Sequence, residues 1–157
     1  MISAAQTLTC RHTRLRIATL QASQFIDVTD RIAALVEGAA VQTGFVNVQV
    51  LHTTAAIVVN EHEPLLLADF LAQLERTAPV TAHYRHDDLR VRTVNLVPDE
   101  RRNGHAHCQA LQLSASAILN VAGGRLQLGR WQRVFLLELD GPQTRDLSVL
   151  VAGECDR

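Results

Sequence analysis

Residues 116–152 read SAILNVAGGRLQLGRWQRVFLLELDGPQTRDLSVLVA. Four runs rich in apolar and β-branched residues stand out: Ser116–Val121, Arg125–Trp131, Val134–Asp140 and Leu147–Ala152. Gly123-Gly124 joins the first two as a hairpin signal, because both central positions of a primed turn need positive φ. Gly141-Pro142 marks the last turn. No stretch of helical period separates the runs, so the strands are expected to pair antiparallel with each other and not through crossover helices. The expected fold is α+β, with sandwich-like antiparallel β-sheets and two or three helices packed on one side.

Upstream, residues 6–20 read as one or two short strands. A helix follows from Thr29, which can cap it; Ile32, Leu35, Val36 and Ala39 recur on one buried face, and Gly44 is the expected stop. Phe45–Asn60 has the composition of two strands or one bent strand, and the two-residue period aligns Val46, Val48, Val50 and His52. Pro64 suits the first turn of a second helix, whose stripe of Leu66, Leu67, Phe70, Leu71 and Leu74 ends before Pro79. Residues 83–102 are polar and too long for an ordinary connection, which marks a candidate functional loop. Asn103 then opens a short helix through Leu113.

The chain has 157 residues, 47% of them hydrophobic, enough for a single domain spanning residues 1–157 with a real core. A formal net charge of −1 and mixed charge along the chain call for no nucleic-acid or membrane partner. All 15 basic residues are arginine, which excludes Schiff-base chemistry and a P-loop lysine. Cys10, Cys108 and Cys155 are odd in number and widely spaced, so neither a disulfide framework nor a thiolate zinc site is expected. With no visible targeting signal, the expected compartment is the cytoplasm.

Several histidines are candidates for chemistry. On a helix, His107 shares a face with Asn103 and Leu111 while His105 points elsewhere, so His107 is preferred. In His83-Tyr84-Arg85-His86 an extended backbone aims at most one histidine at a shared site, and periodicity does not choose between them. Asp87 and Asp88 are possible acceptors that orient an imidazole. His52 closes the Val46–Val50 face. Three such imidazoles suit zinc and leave a coordination position open for water or substrate. Glu138 lies on an apolar face and needs a cation such as Arg145, or a place in the site. Ser116 lacks a nucleophile's setting and reads as a donor to an anion; a Cys108–His107 dyad is disfavoured because adjacent helical side chains diverge.

Taken in order, His52-Thr53-Thr54-Ala55, Asn60-Glu61, Asp69, Tyr84-Arg85-His86-Asp87, Asn103-Gly104-His105-Ala106-His107, Gly124-Arg125-Leu126, Gly129-Arg130-Trp131-Gln132, Glu138-Leu139-Asp140-Gly141-Pro142 and Arg145 resemble the YjbQ-like family, often named secondary thiamine-phosphate synthase enzymes. The resemblance runs from about Asp27 to Val151. It implies a homotrimer of small α+β domains with a histidine pocket that can hold a divalent metal, zinc, or magnesium with a pyrophosphate substrate. It selects His52, His86 and His107 as metal ligands, with Asn60, Asn103, Ser116 and Gln132 holding substrate or anion, and Glu61 and His107 as catalytic residues. His62 and Glu63 depart from the smaller or acidic residues common there. The implied activity is a weak thiamine-phosphate synthesis, in which a thiazole phosphate displaces pyrophosphate from an aminopyrimidine diphosphate. A metal-dependent hydrolase and a non-catalytic trimeric metal- or anion-binding protein are the alternatives.

Overall fold

Along Thr144–Cys155, burial alternates residue by residue: Arg145, Leu147, Val149, Val151 and Gly153 are buried while their neighbours are partly exposed. That period of two is the signature of a strand with one face on a core. The structure is a computed structural model that describes residues 8–155. Its elements in chain order are β1 (Leu8–Ala18), β2 (Gln24–Asp27), α1 (Thr29–Gly38), β3 (Val41–Val50), β4 (Ala55–Glu61), α2 (Pro64–Thr77), a 3-10 turn at Arg85–Asp87, α3 (Gly104–Ala110), β5 (Ser116–Ala122), β6 (Arg125–Leu126), β7 (Gln132–Glu138) and β8 (Thr144–Cys155).

The strands form two antiparallel sheets, ordered β1-β8-β3-β5-β6 and β2-β7-β4. Val46, Val48 and Val50 from β3 and Leu147, Val149 and Val151 from β8 meet Ala55 and Ile57 of β4 and Val134 and Leu136 of β7 in one core. Helix α1 joins this core through Ile32 and Val36, both fully buried. The other face of the smaller sheet, with Ala56, Leu137 and Leu139, is covered by Leu74 of α2 and Ala106 of α3. The α+β class and antiparallel sheets expected from the sequence hold, and two of the three helices share that outer side. Among the described residues, no helix is long and apolar enough to cross a membrane.

Local details depart from the sequence reading for physical reasons. Thr29 does not cap α1: the Asp27 carboxylate accepts from Thr29 N at 2.9 Å, while Thr29 Oγ1 accepts from Val134 N at 2.8 Å and ties the helix to β7. Gly44 does not stop α1, which ends at Gly38; it pairs with Gly153 inside the sheet, where an added Cβ would lie 2.6 Å from Gly153 Cα. The helix α2 is instead capped by Glu63, which accepts from Leu65 N and Leu66 N. Gly123 and Gly124 both have positive φ, as the hairpin requires, but β6 stops at Leu126 and the strand expected through Trp131 does not form. The short β2 had no clear period to announce it. The expected N-terminal strand is β1; residues 6 and 7 of that expectation lie outside the described residues.

Candidate functional site

Helix α3 is placed by a carboxylate. Asp87 Oδ1 accepts from Asn103 N at 3.1 Å and Gly104 N at 2.9 Å, satisfying free N–H groups at the helix start. Asp87 closes the 3-10 turn that carries His86, so the same bonds bring His86 to His107, with ring centroids 4.5 Å apart. One turn before His107, Asn103 donates from Nδ2 to Asp140 at 2.9 Å. Its Oδ1 is buried without a hydrogen-bond partner among the described residues. His105 leaves in another direction, toward Tyr84, as the helical reading required.

His52 lies just after β3, where Leu51 N donates to Asp146 O. His52 and His107 line the same open pocket of about 510 Å³, with Gln49, Leu51 and Ala115 on its walls. Burial lowers the pKa of both imidazoles; Arg145 adds to this at His52 and His86 at His107. Both are therefore neutral donors or acceptors near neutral pH, not cations.

The hydrogen bonds assign tautomers. His52 Nε2 accepts from Asp146 N at 2.9 Å, so its proton sits on Nδ1. An arginine can only donate, so His86 Nε2, 3.1 Å from Arg92 Nη1, is also an acceptor and its Nδ1 carries the proton. Arg92 itself is held by Glu100 at 2.8 Å and by the Asn95 carbonyl. A metal-ligating histidine does the reverse: it offers a lone pair to the ion and donates its other N–H to an acceptor. His52 and His86 thus do not fit a resident zinc site, and no three His, Cys, Asp or Glu groups among the described residues converge to hold an ion. What the imidazoles can do as arranged is donate N–H bonds to an anionic or carbonyl oxygen.

Beneath His52, Arg145 forms a two-pronged pair with Glu138, the structural alternative raised by the sequence. The Arg145 and Glu138 side chains are 6% and 0% exposed, and Arg145 Nη2 also reaches Thr54 Oγ1 at 3.0 Å. Burial opposes ionisation of Glu138, but the Arg145, Asp140 N and Thr19 hydrogen bonds outweigh it and hold its carboxyl below the usual range.

The expected site residues divide into two groups. Asn103, His86 and His107 are brought together and His107 shares its pocket with His52, whereas His86 lines a separate pocket with Arg92 and Asn95; Ser116 opens β5 opposite Gln49, a wall of the His52–His107 pocket. Asn60, Glu61 and Gln132 are not brought to them within one chain. Glu61 pairs with Gln132 at the far end of β4, six residues from Ala55 and so about 20 Å along the strand. There Asn60 Oδ1 bonds Glu61 N, and Gln132 Oε1 accepts from Gly129 N. Arg92, Gln49 and Asp140 were missed as site residues; only the density of charge in residues 83–102 hinted at Arg92.

The sequence pattern of the family described as UPF0047 protein YjbQ-like matches residues 13–154. A UPF0047 protein of Methanothermobacter thermautotrophicus is 35% identical over 140 residues, 89% of this chain and 90% of that protein. Another, of Archaeoglobus fulgidus, is 38% identical over 135 residues, 86% of this chain and 96% of the relative. The crystal structure of a YbjQ-like protein of unknown function from Sulfolobus solfataricus P2 superposes with a TM-score of 0.82 at 33% identity, covering 94% of this chain and all (100%) of that one.

Proposed function

The chain belongs to the UPF0047 YjbQ-like family, and from that premise we propose that it is a group-transfer enzyme for phosphorylated small molecules, with thiamine-phosphate synthesis as the reaction to test. The observation that carries this reading is the His52 imidazole on the wall of the pocket it shares with His107: its Nε2 accepts from Asp146 N and its Nδ1–H is left to give, while the His86 ring lies 4.5 Å from that of His107. His107 lines the pocket with His52 and is kept neutral by burial. Such prepositioned donors stabilise negative charge as it develops on a leaving group, and cost little reorganisation at that moment.

In the candidate reaction the thiazole nitrogen lone pair forms a C–N bond to the carbon bearing the diphosphate. The C–O bond breaks and its electron pair leaves with pyrophosphate, so no residue has to supply or remove a proton. A divalent ion enters this reading with the diphosphate, as part of the substrate. Homotrimeric assembly belongs to the same proposal. It is supported by the loop after Asp88, which exposes Leu89, Val91, Val94 and Val97 by 52–67% although Arg92 and Glu100 order it.

The test is direct. Tag-free protein is incubated with both thiamine precursors and magnesium, and pyrophosphate release is followed for wild type, His107→Ala and His52→Asn. Release that depends on both histidines supports the reading; pyrophosphate binding without turnover would leave a non-catalytic anion-binding protein. Imidazole ¹⁵N shifts provide a second readout, since His52 and His86 are expected as Nδ1–H tautomers and a tightly bound stoichiometric zinc ion would overturn that assignment. Light scattering checks the trimer.

A further inference from the structure

The register of the larger sheet lines up a row of polar side chains. Arg14 of β1 is opposite Ser148 of β8, Ser148 is opposite Gln49 of β3, and Gln49 is opposite Ser116 of β5. Residues paired across antiparallel strands share a face. This one is the outer face, because Val46, Val48, Val50, Leu147 and Val149 point into the core. At about 4.8 Å per strand, the row spans about 14 Å. Gln49 is also a wall of the His52–His107 pocket, so the row leads directly out of it.

Arg14 differs from its neighbours. Arg11 donates to Gly38 O at 3.3 Å, Arg16 bonds Asp146 at 3.3 Å, Arg133 pairs with Asp27 and Asp30, and Arg145 pairs with Glu138. Arg14 has no such partner among the described residues, and neither the Gln49 amide nor the Ser116 hydroxyl has a protein partner there. Ser148 Oγ lies 2.9 Å from His12 Nε2, which adds a further polar group at the Arg14 end. Asp146, two residues from Ser148 on the same face of β8, is engaged by Arg16.

We propose that Arg14, Ser148 and Gln49 form a phosphate-binding row that receives a phosphate or diphosphate group of a ligand whose other end occupies the His52–His107 pocket. This rests on the functional reading above and adds a recognition residue to it. A guanidinium can hold two phosphate oxygens at once, and the hydroxyl and amide beside it supply further donors at strand spacing. The ligand class is then an organic phosphate or diphosphate extended enough to run from the pocket across β3 and β8.

Calorimetric titration with inorganic pyrophosphate at low salt tests the row. Arg14→Gln is expected to weaken binding about tenfold, the scale of one lost charge-assisted contact, and Arg14→Lys should recover part of it. Arg11→Gln makes the same change in net charge on the opposite face of the same strand and should stay within about twofold of wild type. Equal weakening in Arg11→Gln and Arg14→Gln would overturn the proposal, leaving only a general charge effect. Binding weakened by His107→Ala but untouched by Arg14→Gln would remove Arg14 and keep the pocket. If wild type binds no pyrophosphate, both readings fail.

Discussion

Arg145→Met and Glu138→Gln remove opposite halves of one buried pair, and they should respond differently to pH. The Glu138 carboxylate accepts from Arg145, from Asp140 N at 2.8 Å and from Thr19 Oγ1 at 3.0 Å. In Arg145→Met the last two donors remain, but the counter-charge is gone and burial then raises the folded-state pKa of Glu138. Its unfolded-state value is about 4.3, so between there and the new folded value the native state binds more protons and loses stability as pH rises, by about 1.4 kcal/mol per unit. Counted from a carboxyl that keeps its unfolded value, that charge penalty is about 1 kcal/mol at about pH 5 and about 3.5 kcal/mol at about pH 7 for a folded value above neutrality, and losing the depressed wild-type value adds a further, equal amount at both. In Glu138→Gln the guanidinium cannot shed its proton, so the cost of about 3–5 kcal/mol persists across the same range. Urea unfolding at the two pH values, followed by far-UV circular dichroism, measures both. The double variant Glu138→Leu/Arg145→Met is expected to be more stable than either single variant at neutral pH. Equal, pH-independent losses in the two single variants would refute the reasoning, as would an Arg145→Met protein as stable as wild type at about pH 7.

Asp27 is opposed by burial, but Arg133 and Thr29 lower its pKa to about 2. A depressed carboxyl contributes stability above its unfolded value and loses it as pH falls toward the folded one. Asp27→Asn should therefore cost about 1–2 kcal/mol near neutrality, allowing for its partial exposure, and the difference from wild type should vanish between about pH 4 and pH 2. Gly44→Ala forces a Cβ against the β8 backbone and should cost about 3 kcal/mol in denaturant unfolding, whereas Gly38→Ala meets nothing within 4 Å and should be close to neutral. Asp87→Ala strips two acceptor bonds from the start of α3 and should speed hydrogen exchange there, with about 1–2 kcal/mol lost overall. A stability loss without faster exchange in α3 would separate Asp87 from the His86–His107 pairing.

Features that depend on local period and side-chain chemistry were legible before the fold was known. The apolar, β-branched runs at Val134–Asp140 and Leu147–Ala152, the Gly123-Gly124 turn and the Leu-rich stripe after Pro64 were enough for antiparallel strands and helices. The helical spacing of Asn103 and His107 separated His107 from His105, and the need for a counter-charge tied Glu138 to Arg145. Which ring nitrogen of His52 and of His86 is left free depended on chain folding alone. The donors that occupy His52 and His86 come from Asp146, distant in sequence, and from Arg92 in a loop without a period. Chain folding also decided that Glu61 and Gln132 stand about 20 Å along β4 from its His52 end. Residues of one motif order need not share a place, because strand pairing, not sequence proximity, sets which end of a sheet each side chain occupies.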